Sequence, residues 1–177
     1  MTKRSTRGYS LVEVLIAMAI LGTVLLSIMT LFVFGRRNVY SGRQMTRATS
    51  VATHILEDLN PMSPVDLMNN FEIAADTDVA DNVVAGTTYE DSIVRKATDF
   101  TGTDPGLPYF TRWTALTTGE RMTDGEITLI FVPLDMETAG DPTTAKRMLV
   151  RVVTEWNEST RRRHVFLDTI KLNRSVI

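Results

Sequence analysis

Arg7-Gly8-Tyr9-Ser10-Leu11-Val12-Glu13-Val14-Leu15-Ile16-Ala17-Met18-Ala19-Ile20-Leu21 places one carboxylate inside an otherwise apolar run. From Val14 to Phe34 the chain has 21 residues without a charge. As a helix, that is enough to cross a bilayer core of roughly 30 Å. The run therefore reads as a membrane segment, and Glu13 is the residue an ordinary anchor lacks. A carboxylate at the centre of a membrane helix costs about 2.5–3.5 kcal/mol, less near the interface, which marks it as a functional residue with a partner to be found. The structural alternative puts Glu13 at headgroup level, one turn inside the helix start, where it snorkels to water and offsets the helix dipole.

The residues before the run decide between the two. Met1-Thr2-Lys3-Arg4-Ser5-Thr6-Arg7-Gly8 is short, basic and polar, and ends in glycine directly before the apolar stretch. This order resembles the type IV prepilin signature, in which a dedicated prepilin peptidase on the cytoplasmic side cuts a basic leader after Gly. The resemblance implies cleavage between Gly8 and Tyr9 and N-methylation of Tyr9. The family's usual aromatic after the cut is Phe, so Tyr9 is a mild departure, and Glu13 falls on the family's glutamate. An ordinary secretory signal also has a basic start and an apolar core, but its core is about 7–15 residues long and is followed by a small-x-small cleavage site. Here the apolar stretch is longer and runs through Leu31-Phe32-Val33-Phe34 into Gly35-Arg36-Arg37. Lys3, Arg4 and Arg7 on one flank face Arg36, Arg37, Arg43 and Arg47 on the other, so the positive-inside rule does not orient the span. The cytoplasmic N-terminus is implied by the resemblance.

Cutting after Gly8 would remove three basic side chains and create an amino group on Tyr9. A cation and a carboxylate four residues apart share a helix face, so the two can pair within one chain. The resemblance implies the alternative, in which Glu13 of an incoming subunit meets the Tyr9 amine of one already in a filament. Burying both charges costs several kcal/mol each unless they meet in good geometry, so such a pair sets a docking register more than it adds stability. The family also has a helix-weakening glycine, matched by Gly22, and a proline eight residues later, where this chain has Thr30. Without the proline the helix keeps its hydrogen-bond ladder, and a straighter, less readily melted anchor is expected.

Beyond Arg37, Met45, Ala48, Ala52, Ile55 and Leu59 recur at spacings of three and four, the pattern of one helix face, until Asn60-Pro61 ends the run. One helix from about Ser10 to Leu59 is expected. A coiled-coil seam is the alternative for its second half, but the heptads are too few, and packing against a sheet is favoured. His54 reads as a surface or boundary residue.

The 177 residues include no cysteine. The part after the helix suffices for one small domain held by packing alone, unlike the many major pilins that close a C-terminal loop with a disulfide, and this leans toward a minor subunit. Residues 1–60 carry seven basic and three acidic side chains, whereas Pro61–Ala145 carry four basic and fifteen acidic ones, which argues against nucleic-acid contact. Asp76-Thr77-Asp78-Val79-Ala80-Asp81-Asn82 offers carboxylates for calcium but lacks the glycine and distal glutamate of an EF-hand, so it reads as a solvated loop.

Val65–Phe71 is expected to form a short helix after the Pro61–Pro64 turn, and residues 72–108, rich in Asp, Thr, Gly and Pro, to form long loops. Tyr109–Leu116, Glu126–Val132, Met148–Trp156 and Arg163–Ile170 read as strands, the last two joined in a hairpin at Asn157-Glu158-Ser159-Thr160. In the third strand Met148, Val150, Val152, Thr154 and Trp156 make the expected core face, because the other face carries both charges. Trp113 and Trp156 read as core or sheet-face aromatics. A long helix followed by an antiparallel sheet is an α+β arrangement, as in the pilin fold. The closing strands resemble those of minor pilins of the PilV type and of I-type minor pseudopilins. The Asn157-Glu158-Ser159 and Asn173-Arg174-Ser175 triplets match a glycosylation pattern that arises easily by chance.

The expected organisation is a leader at 1–8, a membrane and assembly helix at 9–35, an amphipathic half-helix at 36–60 and a globular head at 61–177. Two histidines, no cysteine, and no phosphate loop, His-Glu-x-x-His or Gly-x-Ser-x-Gly leave no enzyme motif and no cofactor to expect. The resemblance implies a minor type IV pilin subunit that primes a pilus, with a minor pseudopilin of a type II secretion system as the alternative. A single-span receptor or adhesin with an uncleaved N-terminus is the second alternative. The implied partners are prepilin peptidase, other minor and major pilins, the inner-membrane assembly platform and membrane lipid. The implied location is the bacterial inner membrane, with a periplasmic head, and then the pilus or pseudopilus.

Overall fold

The computed structural model describes residues 10–73, 80–85, 87–120, 122–136, 144–158 and 161–172. Its contacts divide it into two compact units, between Gly42 and Arg43. The first unit is helical throughout, the beginning of α1 (Leu11–Leu59), and from Ser10 to Tyr40 every side chain is exposed. This stretch contains a window with mean hydropathy 2.5 and no buried residue, long and apolar enough to cross a membrane.

In the second unit the remainder of α1 packs on a sheet. Gln44, Ala48, Val51, Ala52, Ile55 and Leu59 are buried. Met45, expected on that face, is instead 58 % exposed. Residues 44, 48, 51, 52, 55 and 59 form a continuous stripe at spacings of three and four, and Met45 lies off its edge. The helix ends where expected, before Pro61, and α2 (Pro64–Asn70) begins with a capping box in which Ser63 Oγ and the Asp66 carboxylate each serve the other residue's backbone N–H.

Two expectations fail here. Residues 72–108 contain β1 (Ala80–Val84), β2 (Thr87–Lys96) and a 3-10 turn at Ala97–Asp99 rather than loops alone. The period of two in β2 is broken where the β1–β2 register shifts and Asp91 takes φ 47, and among the β2 residues whose burial is described only Ser92 and Ile93 are buried. Tyr109–Leu116 is not a strand but part of α3 (Leu107–Gly119). Its buried residues Phe110, Trp113 and Thr117 recur at three and four, and Pro108 sits in the first turn where a missing N–H costs nothing.

The remaining strands are β3 (Glu126–Met136), β4 (Ala145–Glu158) and β5 (Arg161–Leu172). The sheet order is β1-β2-β3-β4-β5, with every neighbouring pair antiparallel. The β4–β5 ladder closes at Glu158↔Arg161, so the strands run further into the expected hairpin turn, whose residues 159 and 160 lie outside the described set. Met148, Val150, Val152, Thr154 and Trp156 are all buried, as the alternation of β4 requires. The other face is not wholly solvent, because Val153 joins Ile130 and Val84 in a small second cluster.

Phe71 centres the main core. Its ring lies 5.7–6.2 Å from those of Phe100, Tyr109, Phe110, Trp113 and Phe131. Aromatic pairs at this spacing contribute about 0.5–1.5 kcal/mol each beyond area burial, which suits a head without disulfides. This is the α+β arrangement, a long N-terminal helix packed on a C-terminal antiparallel sheet.

Candidate functional site

Glu13 lies in the first turn of α1, where its charge complements the free backbone N–H groups of the helix start. The ladder begins with the Val14 N–H donating to the Ser10 carbonyl at 3.2 Å. Glu13 opens a shallow groove that continues along one side of the helix past Val14, Ala17, Met18 and Leu21. Among the described residues no cation pairs with it. Gly8 and Tyr9, the expected processing site, lie outside the described residues. The arrangement is an exposed carboxylate at the head of an apolar helix face, chemistry suited to ion pairing.

Gly22 and Thr30 both fall inside uninterrupted α1. The Thr30 hydroxyl and those of Thr23 and Ser27 bond back onto the helix. Thr23 Oγ1 donates to the Ile20 carbonyl at 2.8 Å, Ser27 Oγ to the Thr23 carbonyl at 2.9 Å and Thr30 Oγ1 to the Leu26 carbonyl at 2.9 Å. Each polar group is thereby satisfied within the helix, the requirement for hydroxyls facing lipid. Their spacings of three and four in an apolar run were the available signal.

Past the apolar run come Arg36 and Arg37, both exposed. Neither has an ion-pair or hydrogen-bond partner among the described residues.

The head offers less. His54 is exposed, with Nδ1 3.5 Å from Glu57 Oε2. Trp113 and Trp156 are buried, and Trp113 Nε1 donates to Asp58 Oδ2 at 2.8 Å. No group of three metal-ligating side chains occurs among the described residues, while Asp76 and Asp78 of the acidic stretch lie outside them. Across four strands Lys96, Glu126, Arg162 and Glu155 form a charge chain, with Lys96 Nζ 2.8 Å from Glu126 Oε1 and Arg162 Nε 3.1 Å from Glu155 Oε1. Arg162 also pairs with Glu126. The hydrogen bond from Lys96 is the chief cause that holds the Glu126 carboxyl below its ordinary pKa; burial opposes it, and the Arg162 hydrogen bond and the two positive charges add smaller lowering effects. Every charge in this chain is answered by a neighbour, so the network fastens the sheet.

A protein-family model, the prokaryotic N-terminal methylation motif, matches residues 3–29. No curated protein and no solved structure matches the chain.

Proposed function

The chain carries the prepilin-type signature of type IV pilin-like proteins, and from that premise we propose that it is a minor type IV pilin. In this reading prepilin peptidase cuts between Gly8 and Tyr9, Tyr9 is methylated, and the subunit enters an inner-membrane complex with other pilins that primes a pilus. The observation that carries it is the coincidence of the methylation motif with Glu13, a carboxylate without a partner among the described residues, at the start of an exposed apolar helix. Its complement is an amine that exists only after cleavage, so processing licenses assembly. The organisation is then a leader at 1–8, an assembly helix at 9–35, an amphipathic half-helix at 36–60 and a head at 61–177, with the helix in the inner membrane and the head in the periplasm. The subunit acts through contacts rather than catalysis.

Mass spectrometry of the membrane-extracted chain tests processing. A chain beginning at methylated Tyr9 supports the reading, whereas an intact Met1 overturns it in favour of a single-span receptor or adhesin. Glu13→Gln in a producing cell tests docking, because normal incorporation into filaments removes Glu13 from that role. Co-purification of the tagged subunit with a surface pilus is expected, and co-purification with a secretion complex would instead make it a minor pseudopilin.

A further inference from the structure

We infer that Arg36 and Arg37 form a binding site for the phosphate groups of anionic phospholipids, in the leaflet opposite Glu13. The inference rests on α1 spanning the membrane. Placing Val14–Phe34 in the hydrocarbon core leaves Arg36 and Arg37 about 3–5 Å beyond it along the helix at ~1.5 Å per residue. The headgroup layers add roughly 5–7 Å on each side, so both guanidiniums reach phosphate depth. Arg43 and Arg47 come seven and eleven residues after Arg36, too far along a helix to share that layer. Arg47 is in any case 3.7 Å from Glu120 in the head.

Three observations select lipid phosphate as the occupant. Arg36 and Arg37 are exposed and carry no partner among the described residues. The chain has no acidic residue between Glu13 and Glu57, so the helix itself supplies no carboxylate for either one. The site is also continuous with the apolar surface that lipid tails cover, and Phe32 and Phe34 expose their rings directly before it. A guanidinium presents a planar fork of donors that matches phosphate oxygens two at a time, and it is weakly hydrated, so two adjacent arginines suit this layer better than lysines would.

The test uses the full chain in vesicles of phosphatidylcholine containing a minority of phosphatidylglycerol, excised with a surrounding lipid belt by an amphipathic polymer. The phosphatidylglycerol fraction in that belt is then compared with the bulk fraction. Enrichment of about threefold to tenfold is expected for the wild-type chain, weakening as salt is raised. The double variant Arg36→Gln/Arg37→Gln should fall to the bulk ratio, Arg36→Lys/Arg37→Lys should keep part of the enrichment, and Arg43→Gln/Arg47→Gln should leave it unchanged. Wild-type chain at the bulk ratio, or an undiminished enrichment in the Arg36→Gln/Arg37→Gln variant, overturns the inference. So does a variant that loses association with other copies while its lipid belt is unchanged, which would assign the arginines to acidic protein neighbours. Resistance to alkaline extraction is measured in parallel, so that failure of the membrane span is told apart from failure of the lipid site.

Discussion

Lys171 on β5 donates from Nζ to the backbone carbonyl of Asn60, 2.6 Å away, just past the end of α1. Asn60 Oδ1 is a second acceptor at 3.4 Å. The final carbonyls of a helix have no partner further along it, and a cation there also answers the negative end of the helix dipole. One side chain thus fastens the end of α1 to the edge strand of the sheet.

Replacing Lys171 by Ala is expected to destabilise the head by about 1–2 kcal/mol, through the lost hydrogen bond and the lost packing of the stem. Urea unfolding followed by the fluorescence of buried Trp113 and Trp156 measures it. The pH dependence has a defined sign. Burial lowers the Lys171 pKa below its ordinary 10.5, so between the folded and unfolded values the unfolded chain holds more protons. Stability should therefore rise with pH across that window and level off above it. The Lys171→Met variant should lack this rise.

Glu126 gives the opposite end of the pH scale. Its pKa is lowered in the folded chain, chiefly by Lys96, so its contribution is complete above the ordinary value of 4.5 and is lost as pH falls through the folded value. Glu126→Gln should cost less than about 1 kcal/mol at neutral pH, since these are partly exposed pairs. It should also flatten the acid limb of the stability curve. An unchanged acid limb would remove Glu126 from acid unfolding.

Gly106 lies under the Phe100 ring. A Cβ built there would sit 2.5 Å from Phe100 Cε1 and 2.8 Å from two more ring atoms. The ring cannot retreat easily, being stacked on Phe110 at 5.2 Å and set edge-on to Phe71 at 6.2 Å. Gly106→Ala should therefore destabilise the head by about 1–3 kcal/mol, read as a lower urea midpoint at unchanged slope.

The elements most legible in the sequence were those whose periodicity is enforced by one continuous core. The second half of α1 and the Met148–Trp156 face of β4 keep their patterns of 3.6 and two against the main cluster, whereas β3 is buried at every position from Ile127 to Phe131 and is legible from its run of branched and aromatic residues instead. Where two periodicities share the same residues the reading failed. Tyr109, Phe110 and Trp113 satisfy strand composition, and only the placement of Phe110, Trp113 and Thr117 on one buried face reveals α3. In β2 the bulge at Asp91 and the shallow burial erase the alternation altogether. Met45 is apolar and fits the three-and-four spacing, yet polar Gln44 holds the inward position. Glu13 stands out in the sequence without tertiary context, because a carboxylate is a chemical anomaly in an apolar segment.

Thr30 and Gly22 set the last expectation, on the continuity of the anchor. Thr30→Pro removes the amide that donates to the Leu26 carbonyl and also the hydroxyl bond to that same oxygen, while the new ring crowds it. The expected cost is about 3 kcal/mol, concentrated in one turn, and in lipid no water replaces the lost donors. Amide hydrogen exchange of the micelle-bound chain should show fast exchange confined to the segment between Gly22 and Thr30 in the variant and protection there in the wild type. Gly22→Ala should act in the other direction. An added Cβ meets no atom within 4 Å, so the substitution should strengthen the helix by about 0.5–1 kcal/mol and slow exchange around it. A wild-type chain already exchanging freely from Gly22 to Thr30 would contradict an unbroken anchor, and would mean that glycine alone, without proline, is enough to open the helix.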